Sequence, residues 1–330
     1  MKLAKGQRRW CVDCSLLVLP NELDEHQDHF IKENLSIRQL RMPTKLISAN
    51  VDKKEEAQYF FSDESLKVIL KTIIRCKFTH VLCIGCPSIH EQLNVHSKRY
   101  SIQSFLLDID ARYLQFYSSK QFLCFNMANN FLFEKDKYER NLNEFLSSSS
   151  KLLVIADPPF GIMIPALADT LVRLKKKINY FKKDDSEFEL KMMLFHLYFY
   201  EKRIADALPD LRMMDYKISY ANHKKLKADA NSTARLFTDI DGKQLVLKGL
   251  DGYKFCADCQ RWTHEIASHC FDCKNCMSKN GKESAHCSLC DRCFQLDWEH
   301  CFTCEMCTRK GKLIRNEPTV DSKRSFPFSR

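Results

Sequence analysis

The chain reads as an α/β protein: a parallel, doubly wound, Rossmann-like sheet set between two segments rich in cysteine and histidine. Three observations predict this. Between about residues 55 and 245, short apolar runs alternate with stretches of helical spacing, as expected of strands buried on both faces. Of 17 cysteines, eleven fall between Cys256 and Cys307. Glycine is scarce, with 8 in all and only Gly85 and Gly161 between residues 7 and 240. At 330 residues, 45% hydrophobic and 28% charged, the chain can bury a sizeable core, which excludes wholesale disorder.

Taken in order, four regions emerge: 1–50 with one Cys/His cluster and a linker, 51–250 as the α/β domain, 251–308 as a Cys/His-rich domain, and 309–330 as a basic tail. In the α/β region the spacing predicts a helix over Leu66–Cys76. It predicts strands over Thr79–Ile84, Ser104–Leu107, Gln121–Phe125 and Leu152–Ala156, with helical segments between them. Lys191–Phe199 follows, then Asp215–Tyr220 and Ala234–Thr238, a pair suited to a terminal hairpin. Strands alternating with helices imply a parallel sheet, whose ligands lie beyond the carboxyl ends of the strands.

No apolar run approaches the ~20 residues of a membrane span. Met1–Trp10 is basic and lacks the apolar stretch of a secretory signal. The expected setting is therefore a reducing compartment, where clustered cysteines serve as metal ligands. The net charge of +10 favours a polyanionic partner, but only weakly.

The strand ends carry the chemistry. The first closes in Ile84-Gly85-Cys86-Pro87, where glycine would let the backbone approach a ligand closely. The second closes in Leu107-Asp108-Ile109-Asp110, with Asp108 placed 23 residues after Gly85, near the spacing at which an acid grips a ribose hydroxyl. The third closes in Asn126-Met127 and the fourth in Asp157-Pro158-Pro159-Phe160-Gly161. Taken singly, a strand–glycine turn is a tight loop and an acid at a strand end is a helix cap. The last corner is different. Its prolines lack N–H donors, so their carbonyls and the Asp157 carboxylate make a rigid group of acceptors beside an aromatic ring. That corner suits a planar ring bearing an exocyclic amine. Asp157 and the Pro158 carbonyl would accept the two amine hydrogens while Phe160 stacks on the ring, so that catalysis is mainly positioning.

A glycine turn, an acidic second strand and Asp-Pro-Pro-Phe in that order resemble the amino-methyltransferases that use S-adenosylmethionine to modify adenine N6 in DNA or RNA. The resemblance implies catalytic roles for Asp157, Pro158, Pro159 and Phe160. It also implies cofactor contacts from Gln58, Tyr59, Phe60, Gly85, Asp108, Asn126, Met127 and Asp157. The family's first turn usually carries two glycines or more; here it carries one.

The Cys/His-rich region is legible from spacing. His-Cys-x-x-Cys-x-x-Cys occurs at His269, His286 and His300, preceded by Cys256-x-x-Cys259. If each pair takes a His and a Cys from the next repeat, three interlocked CCHC sites result. They are Cys256, Cys259, His269 and Cys276; Cys270, Cys273, His286 and Cys293; and Cys287, Cys290, His300 and Cys307. Cys3His closure is the arrangement of a structural zinc ion. Other pairings stay open, and Cys301, Cys304 and His264 are left without a site. The interlocking also resembles the cysteine-rich domain of DHHC palmitoyltransferases, but the Asp-His-His-Cys tetrapeptide and membrane spans are missing. Near the N-terminus, Cys11-x-x-Cys14 precedes His26-x-x-His29 by eleven residues, close to a C2H2-type zinc finger. About four structural zinc ions are thus expected.

Leu171–Lys183 holds Arg173, Lys175, Lys176, Lys177, Lys182 and Lys183 with Tyr180 and Phe181 interleaved, and no acid. Such a run is either a solvated helix face or an RNA contact. Beginning ten residues after Gly161, it is expected to flank the mouth of the site.

The whole layout from Cys11 through Cys307 resembles the CCHC-zinc-finger branch of this methyltransferase family, which makes N6-methyladenosine in large-subunit ribosomal RNA. Further marks are Leu82-Cys83-Ile84-Gly85, Leu106-Leu107-Asp108, Asp215-Tyr216, Asn222-His223 and Arg235-Leu236-Phe237-Thr238. That branch carries an additional N-terminal GRF-type finger and a further Cys/His pair, so this chain reads as a shorter or divergent member. The resemblance implies ribosomal RNA as partner, protein partners in ribosome biogenesis, no membrane, and a nuclear or nucleolar, and also cytoplasmic, location. An inactive methyltransferase fold kept as an RNA-binding scaffold is the competing reading. A DNA adenine or a protein amide is an alternative acceptor.

Overall fold

In the computed structural model the described residues are 4–50, 57–183, 185–227, 232–247, 250–276 and 282–310. Of the basic tail expected at 309–330, residues 311–330 lie outside them. Two compact units are present, Met1–Glu265 and Ile266–Arg330. No described helix is long and apolar enough to cross a membrane.

The first unit opens with a small antiparallel sheet, ordered β2-β1-β3, of β1 (Arg9–Cys11), β2 (Leu16–Val18) and β3 (Ile31–Lys32). The short helix α1 (Ile37–Leu40) is capped by the Ser36 hydroxyl, and α2 (Asp63–Arg75) by that of Ser62. Acidic residues Asp63 and Glu64 occupy the first turn of α2, where the helix dipole favours them. The α/β core then runs β4 (His80–Ile84), α3 (Pro87–Val95), α4 (Ser97–Tyr100), β5 (Gln103–Asp108), β6 (Phe122–Asn126), β7 (Phe131–Leu132), α5 (Lys135–Ser148), β8 (Lys151–Ala156), α6 (Ile164–Phe181), β9 (Glu189–Leu197), α7 (Glu201–Ala207), β10 (Arg212–Lys217) and β11 (Ala234–Thr238).

These strands form an eight-stranded sheet in the order β10-β11-β9-β8-β4-β5-β6-β7. β4 pairs in parallel with β5 and β8, β5 with β6, and β8 with β9, while β10 and β11 form the expected antiparallel hairpin. The parallel, doubly wound core is thus present within a mixed sheet, in which β11 is also antiparallel to β9 and β7 is antiparallel to β6. The chain leaves β4 through β5 and β6, then returns on the other side of β4 as β8. That reversal opens a crevice at the carboxyl ends of β4 and β8.

Alternate residues of each strand feed opposite layers, as the two-residue period of a strand requires. Val81, Cys83, Leu106, Leu153 and Ile155 pack with Ile69 and Ile73 of α2 and Ile89 and Leu93 of α3. Leu82, Ile84, Phe105, Leu107 and Val154 pack with Leu142 and Leu146 of α5 and Leu167 and Leu171 of α6. Each such side chain contributes roughly 1.5–3 kcal/mol through burial, which explains why these strands read as apolar runs without alternation.

The N-terminal sheet is seated on this core. Trp10 is fully buried, its ring 5.4 Å from that of Phe116. The Leu17 N–H donates to Gln115 Oε1 at 2.8 Å, and Gln115 Nε2 donates to the Ser15 carbonyl at 3.1 Å. Farther on, the Thr44 N–H and hydroxyl both donate to Glu91 of α3, each at 2.6 Å. Burial lifts the Glu91 carboxyl to about 7. After β11 the hairpin β12 (Tyr253–Cys256) and β13 (Arg261–His264) closes the unit, with Trp262 Nε1 donating to the Gly242 carbonyl at 2.8 Å. Among the described residues the second unit holds three hairpins: β14 (His269–Cys270) with β15 (Asn275–Cys276), β16 (Ser284–Cys287) with β17 (Arg292–Gln295), and β18 (Trp298–Cys301) with β19 (Met306–Arg309).

Candidate active site and metal clusters

The four strand ends singled out by sequence converge on one cavity of about 470 Å³. Gln58, Tyr59, Phe60, Gly85, Asp108, Asn126, Met127 and the corner Asp157–Phe160 all line it, joined by Ile109, Phe125, Met163 and Ala166.

Gly85 follows β4 in the left-handed region, with φ of 66°. A Cβ there would lie 2.6 Å from Met127 Cε and 2.8 Å from the Asp157 carbonyl oxygen. Only glycine fits at this position. Gly161 differs. It lies outside the left-handed region, and a Cβ would meet nothing within 4 Å. Nothing in its surroundings requires a glycine.

Asp108 is buried at the end of β5, and one carboxyl oxygen accepts from the Asp110 N–H at 3.0 Å. Burial raises it to about 7. Asp110, two residues on, is a structural neighbour. Against the opposing effect of burial, the Arg112 guanidinium and the Gln58 amide hold its carboxyl below the usual range. Arg112 Nη2 lies 2.7 Å from Asp110 Oδ2, and Gln58 Nε2 donates to the same oxygen at 2.8 Å. Gln58 Oε1 in turn accepts from Arg112 Nη2 at 3.2 Å and from the Asn50 N–H at 3.1 Å. Gln58 therefore lines the cavity with its amide already committed to the wall. Asn126 Oδ1 accepts from the Ala128 N–H at 2.9 Å, shaping the turn that carries Met127.

At the corner, the Tyr220 hydroxyl donates to Asp157 Oδ1 at 2.7 Å. Burial pushes the Asp157 carboxyl well above the ordinary range, and the Tyr220 hydrogen bond pulls it back in part. Phe160 lies nearly parallel to Tyr59 (15°, centroids 6.1 Å apart) and edge-on to Tyr220 and His196 at 5.8 and 5.9 Å. Tyr59 is met by the His223 ring at 4.4 Å. Reading strand ends did not find Tyr220, which arrives from beyond β10. An isolated antiparallel bridge pairs it with Phe61, outside the named strands.

The basic run does not flank the mouth. The start of α6 touches the cavity through Met163 and Ala166, but the helix then runs back along the sheet for about 27 Å. Lys182 Nζ donates to the Ser147 carbonyl at 2.6 Å, just before β8 begins and so at the opposite end of the sheet. Arg173 pairs with Asp169, Lys175 with Asp210, Lys177 with Glu139 and Lys182 with Asp185. Only Lys176 and Lys183 of the run form no ion pair among the described residues.

The Cys/His groups close in space. Cys11, Cys14, His26 and His29 bring their ligand atoms within 4.8 Å of one another, as do Cys270, Cys273, His286 and Cys293, and Cys287, Cys290, His300 and Cys307. In the last two sets Sγ–Sγ distances of 3.7 Å (Cys273–Cys293) and 3.6 Å (Cys290–Cys307) accompany Sγ–Nδ1 distances of 3.3 Å to His286 and His300. A tetrahedral ion with Zn–S about 2.3 Å and Zn–N about 2.0 Å sets its ligands about 3.5–3.8 Å apart. Cys256 and Cys259 stand on the β12–β13 hairpin of the first unit; His269 and Cys276 stand on β14 and β15 of the second. The residue after each Cys-x-x-Cys pair is left-handed: Ser15, Gln260, Lys274, Asp291 and Glu305, with φ between 49° and 54°. None is glycine, and each position costs about 1 kcal/mol or more, a strain that metal ligation can hold in place. Cys301-x-x-Cys304 has the same turn but belongs to no four-ligand group among the described residues, and neither does His264.

A cavity at the carboxyl ends of the parallel strands, an acid on the second strand and an acceptor-rich Asp-Pro-Pro-Phe corner match the amino-methyltransferase pattern read from the sequence. Residues 52–239 match the family described as Probable N6-adenine methyltransferase, and the chain belongs to that family. The rRNA N(6)-adenosine-methyltransferase ZCCHC4 of Homo sapiens is 36% identical over 296 residues, covering 86% of this chain and 57% of that protein. Those of Xenopus tropicalis and Mus musculus are 34% and 36% identical over 281 and 282 residues, each covering 82% of this chain and respectively 57% and 54% of the relative. The chain spans about half the length of these curated relatives. Among solved structures, a precorrin-6y C5,15-methyltransferase from Geobacter metallireducens overlaps with a TM-score of 0.23 at 10% identity, covering 56% of this chain and 96% of that one.

Proposed function

We propose that the chain transfers a methyl group from S-adenosylmethionine to N6 of an adenosine in large-subunit ribosomal RNA. The observation that carries this is the Asp157 corner. One carboxyl oxygen is held by Tyr220, while Asp157, Pro158, Pro159 and Phe160 line the cavity where four strand ends meet. The cavity fits the cofactor by chemistry. It has an acid at the second strand end for ribose hydroxyls, apolar walls in Ile109, Phe125 and Met127, and backbone exposed at Gly85. Its volume is in the range of small-molecule sites. When bound, S-adenosylmethionine supplies the electrophilic methyl.

The protein's part is then positional. The second Asp157 oxygen and the Pro158 carbonyl accept the two N6 hydrogens, which orients the nitrogen lone pair away from them and toward the methyl donor. Phe160 stacks on the flipped base. Asp157 accepts most strongly as the carboxylate, and the amine hydrogen bonds offset part of the cost of ionising it in a buried corner. Similarity to the rRNA N(6)-adenosine-methyltransferases favours ribosomal RNA as acceptor over DNA or a protein amide.

For the metal clusters we infer structural zinc at Cys11, Cys14, His26 and His29, and at the two sets that end in Cys293 and Cys307. The shared Cys-x-x-Cys pair and the six residues between His and the last Cys extend the inference to Cys256, Cys259, His269 and Cys276.

The test is Asp157→Ala with labelled S-adenosylmethionine and separated rRNA, DNA and protein fractions. The wild type should label rRNA, and the variant should lose at least about 100-fold in rate while retaining its zinc. Label in rRNA at the wild-type rate from the variant, or label confined to DNA or protein, would overturn the proposal.

A further inference from the structure

The α6 cations lead away from the cavity and are mostly paired, yet a base entering the corner must leave its phosphates at the mouth. A different segment stands there, residues 221–227 after β10. It is built onto the walls of the site at several points. The Ala221 N–H donates to the Phe60 carbonyl at 2.8 Å, and Asn222 bridges the same strip, accepting from the Phe60 N–H at 2.8 Å and donating to the Gln58 carbonyl at 2.9 Å. His223 packs on Tyr59, and the buried Leu226 returns its carbonyl to the Tyr220 N–H at 2.8 Å. The adjoining Tyr220 holds Asp157.

With its inner side consumed in this way, the segment turns Lys224, Lys225 and Lys227 outward. All three are exposed, and none forms an ion pair among the described residues. Unpaired ammonium groups on an anchored loop beside an aromatic-walled base pocket match a single-stranded polyanion with stacking bases.

We propose that segment 221–227 is the track for the RNA backbone flanking the target adenosine, with Lys224, Lys225 and Lys227 contacting phosphates. The inference rests on the adenosine reading of the site and locates its RNA contacts on this loop rather than on α6.

The full chain carrying Lys224→Ala, Lys225→Ala and Lys227→Ala tests it, with Lys176→Ala and Lys183→Ala as the control pair. The probe is a short labelled oligoadenylate titrated across salt concentrations. In the triple variant, S-adenosylmethionine affinity by calorimetry should stay within about twofold of wild type. Oligoadenylate affinity at low salt should fall at least about 10-fold, and the slope of log affinity against log salt should shrink by about 2, given roughly 0.7 per phosphate of a single strand. The control pair should leave the slope in place. An unchanged slope in the triple variant, a slope lost only in the control pair, or a wild type that does not bind oligoadenylate would overturn the inference. A wild type that holds oligoadenylate with the expected slope but binds no S-adenosylmethionine would sink the enzymatic reading while leaving the track standing.

Discussion

The two glycines of the long glycine-poor stretch have opposite status. Gly85 is required twice over, by its left-handed backbone and by Met127 and Asp157 pressing on the missing Cβ. Gly85→Ala should abolish detectable S-adenosylmethionine binding by calorimetry, whereas Gly161→Ala should bind within about threefold of wild type. Equal losses in both would contradict the assignment. Tyr220 offers a second test. Removing its hydroxyl as Tyr220→Phe keeps the ring packed on Phe61 but takes a hydrogen bond from a carboxylate that burial already disfavours. Such bonds to charged groups are worth roughly 1.5–3 kcal/mol, or about 1–2 pH units. The Asp157 carboxyl should therefore rise further, and the acid limb of the kcat profile should move up by about a unit. A merely structural role would lower the plateau without moving that limb. Residues at strand ends were legible because an apolar run stops there on an unusual polar or glycine residue. Tyr220 was not, since nothing near it in sequence marks a partner 63 positions away.

Elements were readable to within a few residues where both faces are buried. Predicted Thr79–Ile84 and Leu152–Ala156 are observed as His80–Ile84 and Lys151–Ala156. Their apolar runs follow from helices covering both sides of the sheet. The direction of α6 was the failure. Charge composition says that a helix is wet on one face, but which end of the sheet that face reaches depends on the helix running antiparallel to β8. Two of its acidic partners come from other elements, Glu139 of α5 and Asp210 after α7. The metal hairpins show the reverse case. Their strands are two to four residues long, too short to announce themselves by periodicity, and only ligand spacing revealed them.

At the scale of the whole first unit, the N-terminal Cys/His finger and the candidate site share a support. The single turn Ala111–Gln115 is gripped from two sides: Gln115 holds the finger through Leu17 and Ser15, while Arg112 holds Asp110 and Gln58 at the cavity wall. Two ligands that each order the same turn are thermodynamically linked, and linkage is reciprocal. Cys14→Ala, which breaks the finger's metal set, should weaken S-adenosylmethionine binding about fivefold. In the wild-type protein, saturating S-adenosylmethionine should slow zinc withdrawal from the finger by a chelator. Calorimetry and chelator kinetics that show the two events to be independent would refute the coupling. If it holds, Ala111–Gln115 lets the finger act as an effector site, reporting the presence of a metal ion to the place where the methyl donor sits.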